Sequence, residues 1–205
     1  MSSKWTMSEI SLFLKDLHEM HSLKLREFLL GDSHPLQPGD LIQAALYNHY
    51  FNCRLWREED LARRTNVSDA QIVANKRAID RFNQARNDAT ETLDGYLLRM
   101  LPPLNVQARL NSETPGSMVD RLSIMSLKIH HMELETNRID GSASLRQECR
   151  EKLSRLREQQ YDLSFCLQSL LTDCLEGSAR FRQYRQFKMY NDPRYGLYKG
   201  TELLT

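Results

Sequence analysis

From Ala143 to about Gly177 the chain sets Leu145, Cys149, Leu153, Leu156, Gln160, Leu163, Leu167, Leu170 and Cys174 at alternating spacings of three and four. An α-helix gathers such positions into one stripe, and a stripe this long is buried by lying along other helices. This one element therefore imposes bundle geometry on its neighbours. The rest of the sequence keeps the same period: helix is expected from about Ser8 to Leu30, with Ile10, Leu14, Leu17, His21, Leu25 and Phe28 on one stripe. Further helices are expected from about Pro38 to Arg64, and from a cap at Ser68 or Asp69 to about Met100. A Thr114 cap with Pro115 in the first helical position opens the next, which runs to near residues 140–142. GDSHPLQPGD, TNVSD and PPLNVQARLNSE interrupt the period. No strand pattern, repeat or low-complexity run is legible. The expected architecture is all-α, an antiparallel bundle of about five long helices in one domain over 1–205. A basic, aromatic tail at 178–205 is expected to fold back on it.

A chain of 205 residues buries one sizeable core. Its 28 basic and 27 acidic residues leave a formal charge of +1, so no whole-protein field draws it to nucleic acid or an anionic membrane. Cys53, Cys149, Cys166 and Cys174 form no CxxC pair or disulfide spacing and read as reduced thiols. No stretch approaches the roughly 20 apolar residues of a membrane span, and MSSKWTMSEISLFLKD is broken by charges where a leader would be apolar. A soluble, cytoplasmic protein is expected. The tail RFRQYRQFKMYNDPRYGLYKG mixes base and aromatic as single-strand nucleic-acid binders do. The rest of the chain is not basic, and Phe181, Tyr184 and Phe187 recur every three residues as a docking helical turn would. Nucleic acid is therefore disfavoured as a partner.

Several polar residues fall on faces that should be buried. In the helix after Thr114, Met118, Leu122, Met125, Ile129 and Met132 form one stripe, while Asp120, Ile124, Leu127 and His131 form another nearly opposite. A helix apolar on two sides is sandwiched. Asp120 and His131 lie about 16 Å apart along the axis, so each needs a partner from another helix. In the second helix His49 and Asp60 share a face with Ala45, Cys53 and Trp56; in the third, Asn83 and Arg86 share one with Asn75, Ile79 and Thr90. A hairpin about Val67 would set His49 level with Arg86 and Asp60 level with Asn75. Burying unpaired charges costs several kcal/mol or more. Two readings follow. One is a satisfied structural network that fixes helix register. The other is a pocket in which Arg86 clamps an anion, His49 or His131 carries a proton near neutral pH, and Asp60 or Asp120 orients them or holds a cation.

The segments NHYFNCRLWREEDLARR, IDRFNQARNDATETLD, ETPGSMVDRLSIMSLKIHHM and FKMYNDPRYGLY resemble, in order, the signature blocks of a bacterial family catalogued as domain of unknown function 4254. The resemblance spans about Leu41 to Tyr198 and carries no established reaction. Similar proteins are often encoded among genes for lipopolysaccharide and other surface polysaccharides, which implies a cytosolic role in making or regulating surface glycan. The motifs take in His49, Trp56, Glu59, Asp60 and Arg63, then Asn83, Arg86, Asn87 and Asp88. Later blocks supply Asp120, Arg121, Lys128 and His131, and finally Tyr190 and Asn191. DPRYGLY departs from the Asn-Pro expected before Leu-Tyr.

Together these observations nominate His49, Asp60, Asp120 and His131 as catalytic candidates. Asn83, Arg86, Asn87, Arg121, Lys128, Tyr190 and Asn191 are the ligand-binding candidates, for a phosphorylated sugar or sugar nucleotide. A first alternative is a non-catalytic accessory that packs on a glycan-biosynthesis enzyme, or on a second copy as a homodimer, through the long stripe of the last helix. A second is a bundle like the magnesium-dependent nucleotide pyrophosphohydrolases. Glu91 and Asp94 supply an ExxD, but the upstream ExxE is missing because Glu58, Glu59 and Asp60 are consecutive. HEMH at 18–21 is one residue short of the HExxH zinc motif, so no metal ligands are assigned. GxGxxG, P-loop and GxSxG motifs are absent.

Overall fold

The computed structural model describes residues 5–31 and 37–185. Five helices make up the bundle: α1 (Met7–Leu30), α2 (Leu41–Ala62), α3 (Asp69–Met100), α4 (Pro115–Thr136) and α5 (Ala143–Glu176). Their ends follow local chemistry. Thr6 with Glu9 and Ser68 with Gln71 close capping boxes, while Thr114 and Ser142 cap α4 and α5 through their hydroxyls. Gly31 and Gly177 end α1 and α5 at φ of 88° and 78°, the left-handed region that side chains avoid. Two boundaries differ from expectation. α2 starts at Leu41 rather than near Pro38, because the Asp40 carboxylate accepts from Gln43 N and caps there. α4 stops at Thr136, where Asn137 N donates back to Glu135 O and Leu134 O.

Paired contacts give the helix directions. Asn48 reaches Thr90 and Glu58 reaches Asn75, so α2 and α3 form an antiparallel hairpin. Met7 meets Thr172, and His18 meets Ser164, so α1 and α5 also run antiparallel. α1 and α2 instead run the same way: His21 lies on His49, and further along Phe28 and Leu29 wall a cavity with Trp56 and Asp60. The connection from Leu30 to Leu41 is long enough to return along the bundle.

The main core gathers Ile10, Leu17, Leu93, Leu97, Leu122 and Leu167, among others, from α1, α3, α4 and α5, with Ala44 and Ala45 of α2 filling between them. A smaller cluster of Leu25, Cys53 and Leu127, with Phe28 and Trp56 against it, lies toward the C-terminal ends of α1 and α2. α2 is enclosed by α1, α3 and α4. Its buried polar residues, Asn48, His49 and Asn52 among them, therefore meet other helices, while Arg57 and Asp60 near its end are exposed.

One pairing was invisible to periodicity. Strand β1 (Arg109–Leu110) pairs in parallel with β2 (Ala179–Arg180), a two-residue match too short to leave an alternating pattern. It ties the chain after α5 to the α3–α4 loop. Phe181 then enters the core, and Gln183 Nε2 donates to Glu91 O. The expected tail beyond Arg185, with Tyr190 and Asn191, lies outside the described residues.

Candidate functional site

The polar residues singled out by sequence separate into four places. The first is a closed network between α2, α3 and α4. Asn48 and Asn52, one helical turn apart on α2, both offer Nδ2 to Asp120 Oδ1 at 2.9 Å. Asn48 Nδ2 also donates to Thr90 Oγ1 at 3.2 Å, and Asn52 Nδ2 lies 2.9 Å from Ser123 Oγ. Ser123 Oγ sits 2.8 Å from His49 Nδ1. A Ser123 hydroxyl that accepts from Asn52 has its own proton for His49 Nδ1; this assigns the imidazole N–H to Nε2, 3.7 Å from Cys53 Sγ.

This network is built as a fastener. Asn48, His49 and Ser123 are 0–1% exposed, so the Ser–His contact, which would pass for a nucleophile and its base, has no route to substrate. Burial pushes the His49 pKa down to about 4, opposed by a backbone hydrogen bond at His21. The His21 ring stacks on it at 4.4 Å, and burial holds His21 well below the usual histidine range, with the charges of His49 and His18 adding to the fall. Both rings are neutral at pH 7. His49 does not meet Arg86, although the expected hairpin put them level; it turns to α1 and α4, while Asn48 and Asn52 take the side toward Asp120.

The second place is a cavity of about 260 Å³ between α2, α3 and α4, walled by Asn52, Trp56, Glu59, Arg63, Asn83 and Arg86 over a floor of Leu55, Ile124 and Leu127. Arg86 Nη2 donates to Asn87 Oδ1 at 3.2 Å, and its Nε is buried without a partner. Among the described residues no carboxylate forms an ion pair with Arg86. Arg63, by contrast, stands 3.7 Å from Glu59 and 2.9 Å from Asp60. Among the residues lining this cavity, Arg63 is engaged by carboxylates and the Asn52 amide by Asp120 and Ser123, which leaves the Arg86 guanidinium and the Asn83 amide. Such a donor set is arranged for an anion.

The third place lies across Trp56 and Leu127, which wall both spaces. It is a groove of about 410 Å³ lined by Leu25, Phe28, Leu29, Cys53 and Leu61, with Arg57, Asp60 and His131 as its polar members. The His131 ring lies flat on the Trp56 indole, centroids 4.4 Å apart and planes 5° apart. Burial lowers its pKa, His130 lowers it further, and Asp60 opposes the fall. Asp60 is exposed and paired with Arg63; Glu58, two residues earlier, takes the amide of Asn75 at 2.7 Å instead. The expected match of Asp60 with Asn75 was off by this step.

The fourth is a groove between α4 and α5 containing Arg121 and Lys128. Arg121 is exposed there and bonded to Glu113 at 2.8 Å. These two side chains wall that groove and neither of the spaces beside Trp56. Asp94 of the ExxD points into the α4 N-terminus, accepting from Gly116 N at 2.7 Å. Among the described residues no three His, Cys, Asp or Glu side chains converge to hold a metal, and no described helix is long and apolar enough to cross a membrane.

Asn48, Asn52 and Ser123 were missed from sequence, although two asparagines at i and i+4 inside an apolar helix are a legible signal of one polar contact. Thr90 stood on the expected face, but its hydrogen bond to Asn48 did not show.

No curated protein and no solved structure matches the chain. The family described as "Protein of unknown function (DUF4254)" matches residues 42–183, which take in α3, α4, α5, nearly all of α2 and every residue lining the Arg86 cavity; the chain belongs to that family.

Proposed function

We propose that the protein binds a phosphorylated sugar or sugar nucleotide in the Arg86 cavity, as part of bacterial surface-glycan biosynthesis in the cytoplasm. One observation carries this reading: the Arg86 guanidinium, with no carboxylate counter-ion among the described residues, walls an open cavity. A phosphate accepts from a guanidinium through two parallel bonds. Asn83 adds an amide suited to sugar hydroxyls, and Trp56 offers an aromatic wall.

The test is thermal unfolding of the wild type and of Arg86→Met, each with glucose 1-phosphate, UDP-glucose and inorganic phosphate. Preferential binding to the folded state raises the midpoint. The reading expects a rise of several degrees for a sugar phosphate or sugar nucleotide in the wild type and none in the variant. A wild type that responds to none of the three, or a variant that responds equally, overturns it.

A further inference from the structure

We infer that the ligand is amphiphilic: its phosphate sits at Arg86 and is esterified to a hydrocarbon chain that lies in the groove on the other side of Trp56. This rests on the anion reading above and names the chemistry attached to the phosphate.

The two spaces have common walls. Trp56 and Leu127 line both, so a molecule that fills one touches the residues that bound the other. Their linings differ in degree. Arg63, Arg86, Glu59 and Asn83 stand over an apolar floor on the first side, whereas Leu25, Phe28, Leu29, Cys53, Leu61 and Leu127 make most of the groove, with Arg57, Asp60 and His131 as its polar members. Leu29, 54% exposed, stands at its rim. An apolar groove open to water beside a cation without a counter-ion matches one molecule that carries both features.

A nucleoside is the competing occupant, since a sugar nucleotide would place its base beyond the phosphate. A base brings several hydrogen-bonding groups that need partners when desolvated. The groove's polar members are Arg57, Asp60 and His131; Asp60 is engaged by Arg63 and the His131 ring lies flat on the Trp56 indole, which leaves Arg57 to meet a base, against the apolar side chains of Leu25, Phe28, Leu29, Cys53, Leu61 and Leu127. A saturated or isoprenoid chain asks for nothing but apolar contact, which Leu25, Phe28 and Leu127 supply.

Calorimetric titration of the full chain with farnesyl phosphate, below its micelle concentration, tests this against farnesol, glucose 1-phosphate and UDP-glucose. Arg86→Met and the rim variant Leu29→Gln, at an exposed position that does not hold the core, are titrated alongside. Farnesyl phosphate is expected to bind at least tenfold tighter than farnesol or glucose 1-phosphate. Leu29→Gln should weaken farnesyl phosphate about fivefold and leave glucose 1-phosphate unchanged, and Arg86→Met should weaken both phosphates. Farnesyl phosphate binding no tighter than glucose 1-phosphate overturns the inference and leaves the anion site standing. So does UDP-glucose binding tightest, with its affinity falling in Leu29→Gln, because the groove then holds a base. Farnesol binding as tightly as farnesyl phosphate overturns it too, since the groove then works without Arg86. If no phosphate binds at all, both readings fail.

Discussion

Replacing Asp94 by Asn should change the pH dependence of stability in a way that the contacts of Asp94 alone determine. The carboxyl is 3% exposed, and burial raises its pKa from the ordinary 3.8 to about 6. Hydrogen bonds from Thr114 and Gly116 oppose the rise, and the charge of Glu91 adds to it. Because the folded value lies above the unfolded one, the contribution of Asp94 is fully present below pH 3.8 and is lost as pH rises through 6. At about 1.4 kcal/mol per pH unit the loss comes to about 3 kcal/mol by pH 7. Asp94→Asn keeps an acceptor for Gly116 N and never ionises. Its stability relative to the wild type should therefore climb by about 2 kcal/mol between pH 4 and pH 7. Titrating groups that do not interact with Asp94, His49 included, cancel in that difference. Urea unfolding of both chains at pH 4, 5, 6 and 7 measures it. A difference that stays flat, or that turns against the variant as pH rises, would mean that the Gly116 hydrogen bond and the positive end of α4 outweigh burial, and the reasoning would be wrong.

The same junction makes Gly116→Ala costly: the new Cβ would meet Asp94 Oδ1 at 2.6 Å and Thr90 O at 2.7 Å. Overpacking of this kind costs about 1–3 kcal/mol, whereas Gly141→Ala meets nothing closer than 3.6 Å and should be near neutral; equal chemical-denaturation midpoints for the two would contradict the close approach of α4 to α3. Asn52→Ala should cost about 2 kcal/mol, since it strips a donor from buried Ser123 and from Asp120. A double-mutant cycle with Asp120→Ala should show coupling of about 1 kcal/mol, against additive losses if the contact is idle.

Most helix boundaries, though not the start of α2 or the end of α4, were legible because their signals are local. Thr6, Ser68, Thr114 and Ser142 cap by reaching three residues along their own chain, and Gly31 and Gly177 end helices by their own backbone geometry. The hairpin about Val67 was legible for a related reason, as a short turn fixes which residues of α2 and α3 fall level. What the sequence left open was direction around the axis. α2 meets α1, α3 and α4, so periodicity could place His49 on a buried face without saying which helix it faced. His49 went to His21 and Ser123, and Arg86 was left to the cavity. Asp60 failed similarly: the residue two positions earlier points about 160° away around the helix, and Glu58 claimed Asn75. Asp120 and His131 did find partners on another helix, as their spacing required, but in separate places. Asp120 is held by two asparagines, and His131 rests on Trp56.

The central claim is that the Arg86 guanidinium awaits an acceptor. Its Nε–H resonance in a proton–nitrogen correlation spectrum, assigned by its disappearance in Arg86→Met, reports that directly. Titrated with glucose 1-phosphate and with farnesyl phosphate, the peak should move and saturate in step with binding. If the ligand binds while that peak stays fixed, the anion is held elsewhere and Arg86 is not its clamp.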